Sequence, residues 1–534
     1  MSDKKNNKEV VSAYKIPLYV GLAVVIGMLF GMFVSNHKIP TNDTQRKIEK
    51  ISQVLYSINQ DYVDSLGLDS LTDKGITAML AMLDPHTVYI PATESVMHNA
   101  SLQKGFEGIG VEFRIIQDTL MVIKVLKNGP SQKAGLLSGD KIISVDDSPI
   151  IGIDLPIIYN LLRGAKGNSV EVKIKRGNEF FIKKIIRDKI STYAIIASHM
   201  LDSTTAYIKL RRFAQGAADE VRSSIIKLKK QGMKSLLLDL RGNGGGFLHE
   251  VIAISEDLLP HKSLILYTKG KRKQFNNLYN VEKEKGVFST GKLAILIDES
   301  SASASEVLAG AIQDNDRGII VGRRSFGKGL VQETKKFSDG SEIKITISRY
   351  YTPSGRCIQK PYKDSAYFMD YYNRFINGEF QIEDSVSYND TLVYRTKKGR
   401  IVYGGGGIYP DIFIPQDTNH YTILLGKIYT EQIFNDFIPS LYLKYKDSLS
   451  LLSFSDFNQN FQINQSDLFA LKKHTKNRLS ETYSETDFNT SLPRIKLELK
   501  ALLARLYWDD NEYYQIINQR DKTVIQTIKE LHNI

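Results

Sequence analysis

Cysteine is nearly missing. Cys357 is the one cysteine in 534 residues, so no intramolecular disulfide is available and packing alone must hold the fold. The redox compartment is undetermined on this count. Nothing around Cys357 supports a catalytic thiol, and a packed cysteine is the plainer reading. Metal-ligand spacing is missing too: there are nine histidines, none in a pair such as His-x-x-x-His. No block of about five or six like charges occurs, and no nucleic-acid motif. The formal net charge of +12 is therefore a general surface property, and no nucleic-acid partner is expected. No internal repeat is visible. Hydrophobic residues make up 42% and charged residues 24%, enough for several packed domains.

What is present begins at the N-terminus. Lys4, Lys5, Lys8 and Lys15 precede an uncharged apolar run, Ile16 to Val34. As a helix it would be about 28 Å long, close to the hydrocarbon thickness. Ser35-Asn36-His37-Lys38 offers no small-x-small cleavage site. The expectation is a transmembrane anchor within residues 1–40, N-terminus in the cytoplasm and the remainder outside. The alternative is a cleaved signal peptide.

Residues 41–104 read as helical and amphipathic, with Ile48, Ile51, Val54, Leu55 and Ile58 at helical spacing. Residues 105–190 read as short strands and turns, including a hairpin around Gly177-Asn178. Residues 191–417 alternate apolar strands with helices, an α/β layer pattern with buried parallel strands. Within them, 361–400 is polar and aromatic without a clear period, and reads as an insertion or lid. Residues 418–534 are mostly helical. The fold class expected is a multidomain α/β protein.

Three segments carry chemistry. Ser300-Ser-Ala-Ser303-Ala304-Ser-Glu306 follows a buried strand and opens a helix. A serine there has its hydroxyl at the positive end of a helix dipole, beside unpaired N–H groups that can hold an oxyanion. Ser303-x-x-Glu306 also matches a capping box, the plainer role. Gly322-Arg-Arg-Ser-Phe-Gly327-Lys328-Gly329 nearly matches a phosphate-binding P-loop. It ends in Gly where Ser or Thr would hold Mg²⁺, and it leads into a strand, so a nucleotide site is rejected. Lys328 can instead serve as a base if burial lowers its pKa by roughly three units. Phe326 and Leu330 offer apolar cover, and Gln332 is four residues on. The plainer reading is a surface lysine. Asp239-Leu-Arg241-Gly242-Asn243-Gly244-Gly245-Gly246 joins a buried strand to a helix and leaves N–H groups accessible, or is simply a tight turn. His249 is the best alternative base; His86 reads as a turn residue.

Together these segments resemble the C-terminal processing peptidases, or tail-specific proteases, over about residues 45 to 415. The resemblance extends to Leu83-Asp84-Pro85-His86-Thr87, Gly108-Ile109-Gly110-Val111-Glu112, Gly139-Asp140-Lys141-Ile142, Tyr351-Thr-Pro-Ser-Gly-Arg356 and Gly407-Ile-x-Pro410-Asp411. It implies an α/β serine-protease core with crotonase-like βαβ layers, an inserted PDZ domain and a C-terminal helical region. It implies Ser303 as nucleophile, Lys328 as general base, Gln332 in support, and an oxyanion hole from Gly245 and Ala304 N–H. The family usually has Pro where Gly244 stands. It implies that the PDZ domain takes free polypeptide C-termini on the Gly108, Ile109, Gly110 and Val111 loop. Arg163 is a candidate gating contact, or caps its helix's C-terminus.

The reading is a cofactor-free Ser/Lys endopeptidase acting on cell-envelope polypeptides, single-pass in a bacterial inner membrane. Its catalytic domain would lie in the periplasm, or be secreted there after signal cleavage. A homodimer or an adaptor protein is left open. The other readings are a silent PDZ scaffold that recruits another protease, and a ligand carrier on the same fold.

Overall fold

Strands that alternate with helices bury both faces, and their sequences here are apolar at their centres. Ser235–Asp239 is buried at every position, and Lys292–Ile297 at all but its first. The computed structural model describes residues 15–36, 43–100, 102–362, 366–386, 388, 390–479 and 484–533. It divides into two compact units, Met1–Ala78 and Met79–Ile534.

In the first unit, helices occupy Ile16–Asn36 and Asp43–Asp61. The expected membrane anchor, and with it the single-pass inner-membrane location and membrane partnership, is corrected here. Among the described residues no helix is long and apolar enough to cross a membrane.

The centre of the second unit is a six-stranded sheet. Ile195–Met200 pairs antiparallel with Thr205–Leu210; Ser235–Asp239, Lys292–Ile297, Ile319–Gly322 and Ile412–Phe413 then follow in parallel. Helices Ala217–Lys230, Leu248–Leu258 and Ala304–Asp314 share one core with it. The other face packs on Tyr514, Val524 and Ile528 from the C-terminal helices. Loops leaving the carboxyl ends of three adjacent parallel strands carry the residues singled out above, where open α/β sheets place their sites.

A second sheet contains Leu330–Lys336 and Val88–Ile90, each antiparallel to Glu342–Tyr351. The inserted domain has its own sheet and core, with helix Leu155–Leu162. Its neck is the strand pair Gly105–Gly108 and Asp188–Ser191. A separate core gathers the C-terminal helices, among them Glu485–Tyr507, which runs on through Pro493. The insertion contains a helix, Ala366–Ile376, where no period was legible.

Candidate active site

Ser303 caps helix Ala304–Asp314 with φ of 56° and ψ of −113°. A left-handed φ on a non-glycine residue is strained, and such strain persists where the surroundings over-determine it. Here the neighbouring serines do so. Ser301 Oγ donates to the Leu240 carbonyl at 2.9 Å, and Ser305 Oγ to the Asn243 carbonyl at 2.8 Å. Both are fully buried, whereas Ser303 is half-buried. Of the three alternating serines, only Ser303 is not fully buried.

Glu306, fully buried one turn into the helix, organises the site. Its Oε2 accepts from the N–H of Ser303 at 2.8 Å and of Lys328 at 2.9 Å. Its Oε1 accepts from Gly327 N–H at 2.7 Å and Ser325 Oγ at 2.5 Å. Burial pushes the carboxyl up, and these four donors oppose that. Four donors can hold a buried carboxylate that would otherwise be costly. Tyr350 OH, also buried, donates to the carbonyls of Lys328 at 2.9 Å and Ser303 at 3.3 Å. The capping box foreseen for Ser303 and Glu306 is thus also the clamp on the lysine turn.

Lys328 is half-buried, and burial lowers its pKa below the ordinary lysine value. Lys344 lowers it further, while Glu306 and Asp84 act the other way. Its ammonium and the Ser303 hydroxyl share no hydrogen bond among the described residues. Lys328 sits in the turn before strand Leu330–Lys336, and the ladder shifts register between Val331 and Gln332. Strand alternation therefore does not set where Gln332 points. Its amide donates to Thr346 Oγ1 at 3.2 Å, and Thr346 Oγ1 donates to Asp84 Oδ1 at 3.1 Å.

His86 belongs to this neighbourhood. Burial, then Lys328, lower its pKa to about 4, so it is neutral at pH 7. Its Nε2 meets Tyr367 OH at 2.5 Å, and Tyr367 stands edge-on to Phe326 at 6.0 Å between ring centroids. The Asp84-Pro85-His86-Thr87 motif was the sequence signal for it, but its proximity to Lys328 requires the fold. The side chain of His249, the alternative base, is 70% exposed, 3.5 Å from Glu250 and stacked on Phe247.

Gly245 packs against the serine turn. A Cβ there would lie 2.9 Å from Ser303 Cβ and 3.0 Å from Ala304 N, so only glycine fits. Its N–H donates to Asn243 Oδ1 at 2.9 Å. Ala304 N–H, at the first helical position, has no acceptor among the described residues. A Cβ at Gly244 would meet nothing within 4 Å.

In the inserted domain, Gly110 turns the chain with φ of 74°. The Ile109 carbonyl accepts from Ser131 N–H at 3.0 Å and Oγ at 2.7 Å, and Gly108 bridges Arg163. Val111 opens the edge strand Val111–Ile116. Arg163 is the C-cap of helix Leu155–Leu162, and its guanidinium lies 4.6 Å from the ring centroid of Phe106 in the neck. Burial lowers its pKa.

Peptidase family S41 matches residues 204–364, and the PDZ domain family residues 108–180. A family of unknown function, DUF8443, matches residues 424–509. A probable CtpA-like serine protease of Staphylococcus epidermidis is 32% identical over 366 residues, 66% of this chain and 73% of that protein. The carboxy-terminal processing protease CtpB of Bacillus subtilis is 30% identical over 352 residues, 64% of this chain and 72% of that one. A solved structure of the photosystem II D1 C-terminal processing protease is 23% identical and covers 69% of this chain and 93% of its own. Its TM-score is 0.36.

Proposed function

The chain belongs to the serine-type C-terminal processing peptidases of family S41 with a PDZ domain, and we propose that Ser303 is its nucleophile and Lys328 its general base. The observation that carries this is the Glu306 carboxylate, one oxygen of which takes the backbone N–H of both residues. It fixes the two turns together while leaving both side chains free to react.

Neutral Lys328 Nζ takes the Ser303 Oγ proton as Oγ attacks the carbonyl carbon of the peptide bond. The negative charge moves to the carbonyl oxygen. Ala304 N–H is ready to receive it, and Gly245 N–H joins by exchanging Asn243 Oδ1 for the substrate oxygen. The tetrahedral intermediate collapses, the C–N bond breaks, and Lys328 returns the proton to the leaving amine. Water then adds to the acyl ester, giving its proton to Lys328; the ester C–O bond breaks and Lys328 passes that proton to Ser303 Oγ, restoring both residues. Gln332, held by Thr346, orients the lysine without adding charge. The mechanism uses no metal or organic cofactor.

The substrates proposed are polypeptides with a free C-terminus, received by the Gly108–Val111 loop with the tail added beside Val111–Ile116. Arg163 links that domain's helix to the neck through Phe106, the route by which tail binding would reach the core. Unfolded casein incubated with the protein and with Ser303→Ala tests the enzyme reading. Cleavage by the native protein alone supports it; equal inertness of both would favour a scaffold. Amidating a substrate's C-terminus should weaken binding, because the loop loses a charged acceptor.

A further inference from the structure

The insertion helix Ala366–Ile376 turns its polar side inward. Tyr367, Asp370 and Arg374 recur at i, i+3 and i+7, and all are engaged. Tyr367 OH meets His86, and Asp370 pairs with Lys360 at 2.9 Å. Arg374 donates to the carbonyls of Arg324 at 2.7 Å and Ser325 at 3.1 Å. These bonds strap the helix to the turn that carries Lys328. The opposite face is apolar. Phe368, Tyr371, Tyr372, Phe375 and Ile376 recur at i, i+3, i+4, i+7 and i+8, and each is between 51% and 77% exposed. A surface helix ordinarily buries that stripe, and a contiguous apolar patch left in water marks an interaction site.

We propose that this outer face is an exosite for an extended apolar stretch of the substrate polypeptide near the cleaved bond. The inference rests on the reading of Ser303 and Lys328 as the cutting pair. The stripe adjoins the turn that carries Lys328. Phe326, two residues before Lys328, touches Tyr367, and Tyr367 touches Phe368 with ring centroids 5.6 Å apart. From Phe368 to Ile376 the helix rises about 12 Å, the length of about four residues of extended chain. Aromatic and aliphatic side chains bind apolar sequences without demanding one order, as a peptidase of unfolded tails requires. Charge favours a polypeptide over a lipid surface. The helix's one basic residue, Arg374, is spent inward, so its outer face offers nothing to anionic headgroups.

The test is the variant Phe368→Ser/Tyr372→Ser/Ile376→Ser, which leaves Tyr367, Asp370 and Arg374 in place. KM for unfolded β-casein should rise on the order of tenfold with kcat nearly unchanged. A peptide spanning a bond cut in casein, its flanks replaced by polar residues, should be cleaved equally by both proteins. Replacing the same three residues by Leu should restore the casein KM. An unchanged casein KM overturns the proposal. So does an unchanged KM with lost binding to phosphatidylglycerol vesicles, which would assign the face to lipid, or with a lower sedimentation mass, which would assign it to a second copy. Cleavage that survives Ser303→Ala would overturn the catalytic reading instead, and the KM comparison would still decide the exosite.

Discussion

Ser303 and Lys328 are joined twice through third residues: both N–H groups donate to Glu306 Oε2, and both carbonyls accept from Tyr350 OH. Glu306→Gln keeps the shape but sets an amide donor against N–H groups in a buried site. Stability should fall by about 1–3 kcal/mol, read by urea unfolding. The kcat should fall on the order of a hundredfold, while tail binding to the PDZ domain is unchanged.

The rate should rise with pH as Lys328 loses its proton, with an apparent pKa below the ordinary lysine value. Two substitutions should move that limb oppositely. Lys344→Met removes a like charge, favours protonated Lys328 and shifts the limb to higher pH. Asp84→Asn removes a negative charge that favours protonation and shifts it to lower pH. Profiles of kcat/KM on a short peptide check both signs.

One half-buried and one buried histidine set an acid limit on stability. His86 and His199 are each lowered from 6.5 to about 4, chiefly by burial. The unfolded chain then binds more protons than the folded one between those values. Their contribution is fully present above pH 6.5 and is lost as pH falls toward 4. Urea midpoints measured across that window should drop, and drop less steeply in His199→Asn.

The way this fold was written into the sequence explains what could be foreseen. The strand before each chemical loop was legible because the centres of these parallel strands are apolar, and Ser303, Lys328 and the glycine loop stand out in the sequence as short motifs. What escaped depends on contacts between distant segments. Glu306 has a local meaning as a capping residue, and its second meaning appears only when the Lys328 turn folds over it. His86 lies 242 positions before Lys328 in the numbering and reaches it through the sheet that pairs Val88–Ile90 with Glu342–Tyr351. Helix Ala366–Ile376 hid its period because polar and apolar residues both recur helically, and the polar set faces inward. The apolar run at the N-terminus pointed to an anchor that the described residues do not bear out.

The PDZ domain is fastened to the C-terminal helices by charge. Lys124, 8% exposed, meets Asp509 at 2.5 Å and Asp510 at 3.3 Å, and Arg505 pairs with Glu112 on the edge strand at 2.8 Å. A double-mutant cycle on Lys124→Met and Asp510→Asn should give a coupling of roughly 1–2 kcal/mol. The same variants should speed hydrogen exchange across residues 111–125.

The catalytic pair is tested most directly by comparing kcat/KM at pH 7.5 for Ser303→Ala, Lys328→Ala and the double variant, each checked for native folding. The proposed mechanism has the two residues act in one step, so all three should fall to the same background, and the double should be no worse than either single. Cleavage by Lys328→Ala at near-native rate would contradict the account and move the base elsewhere.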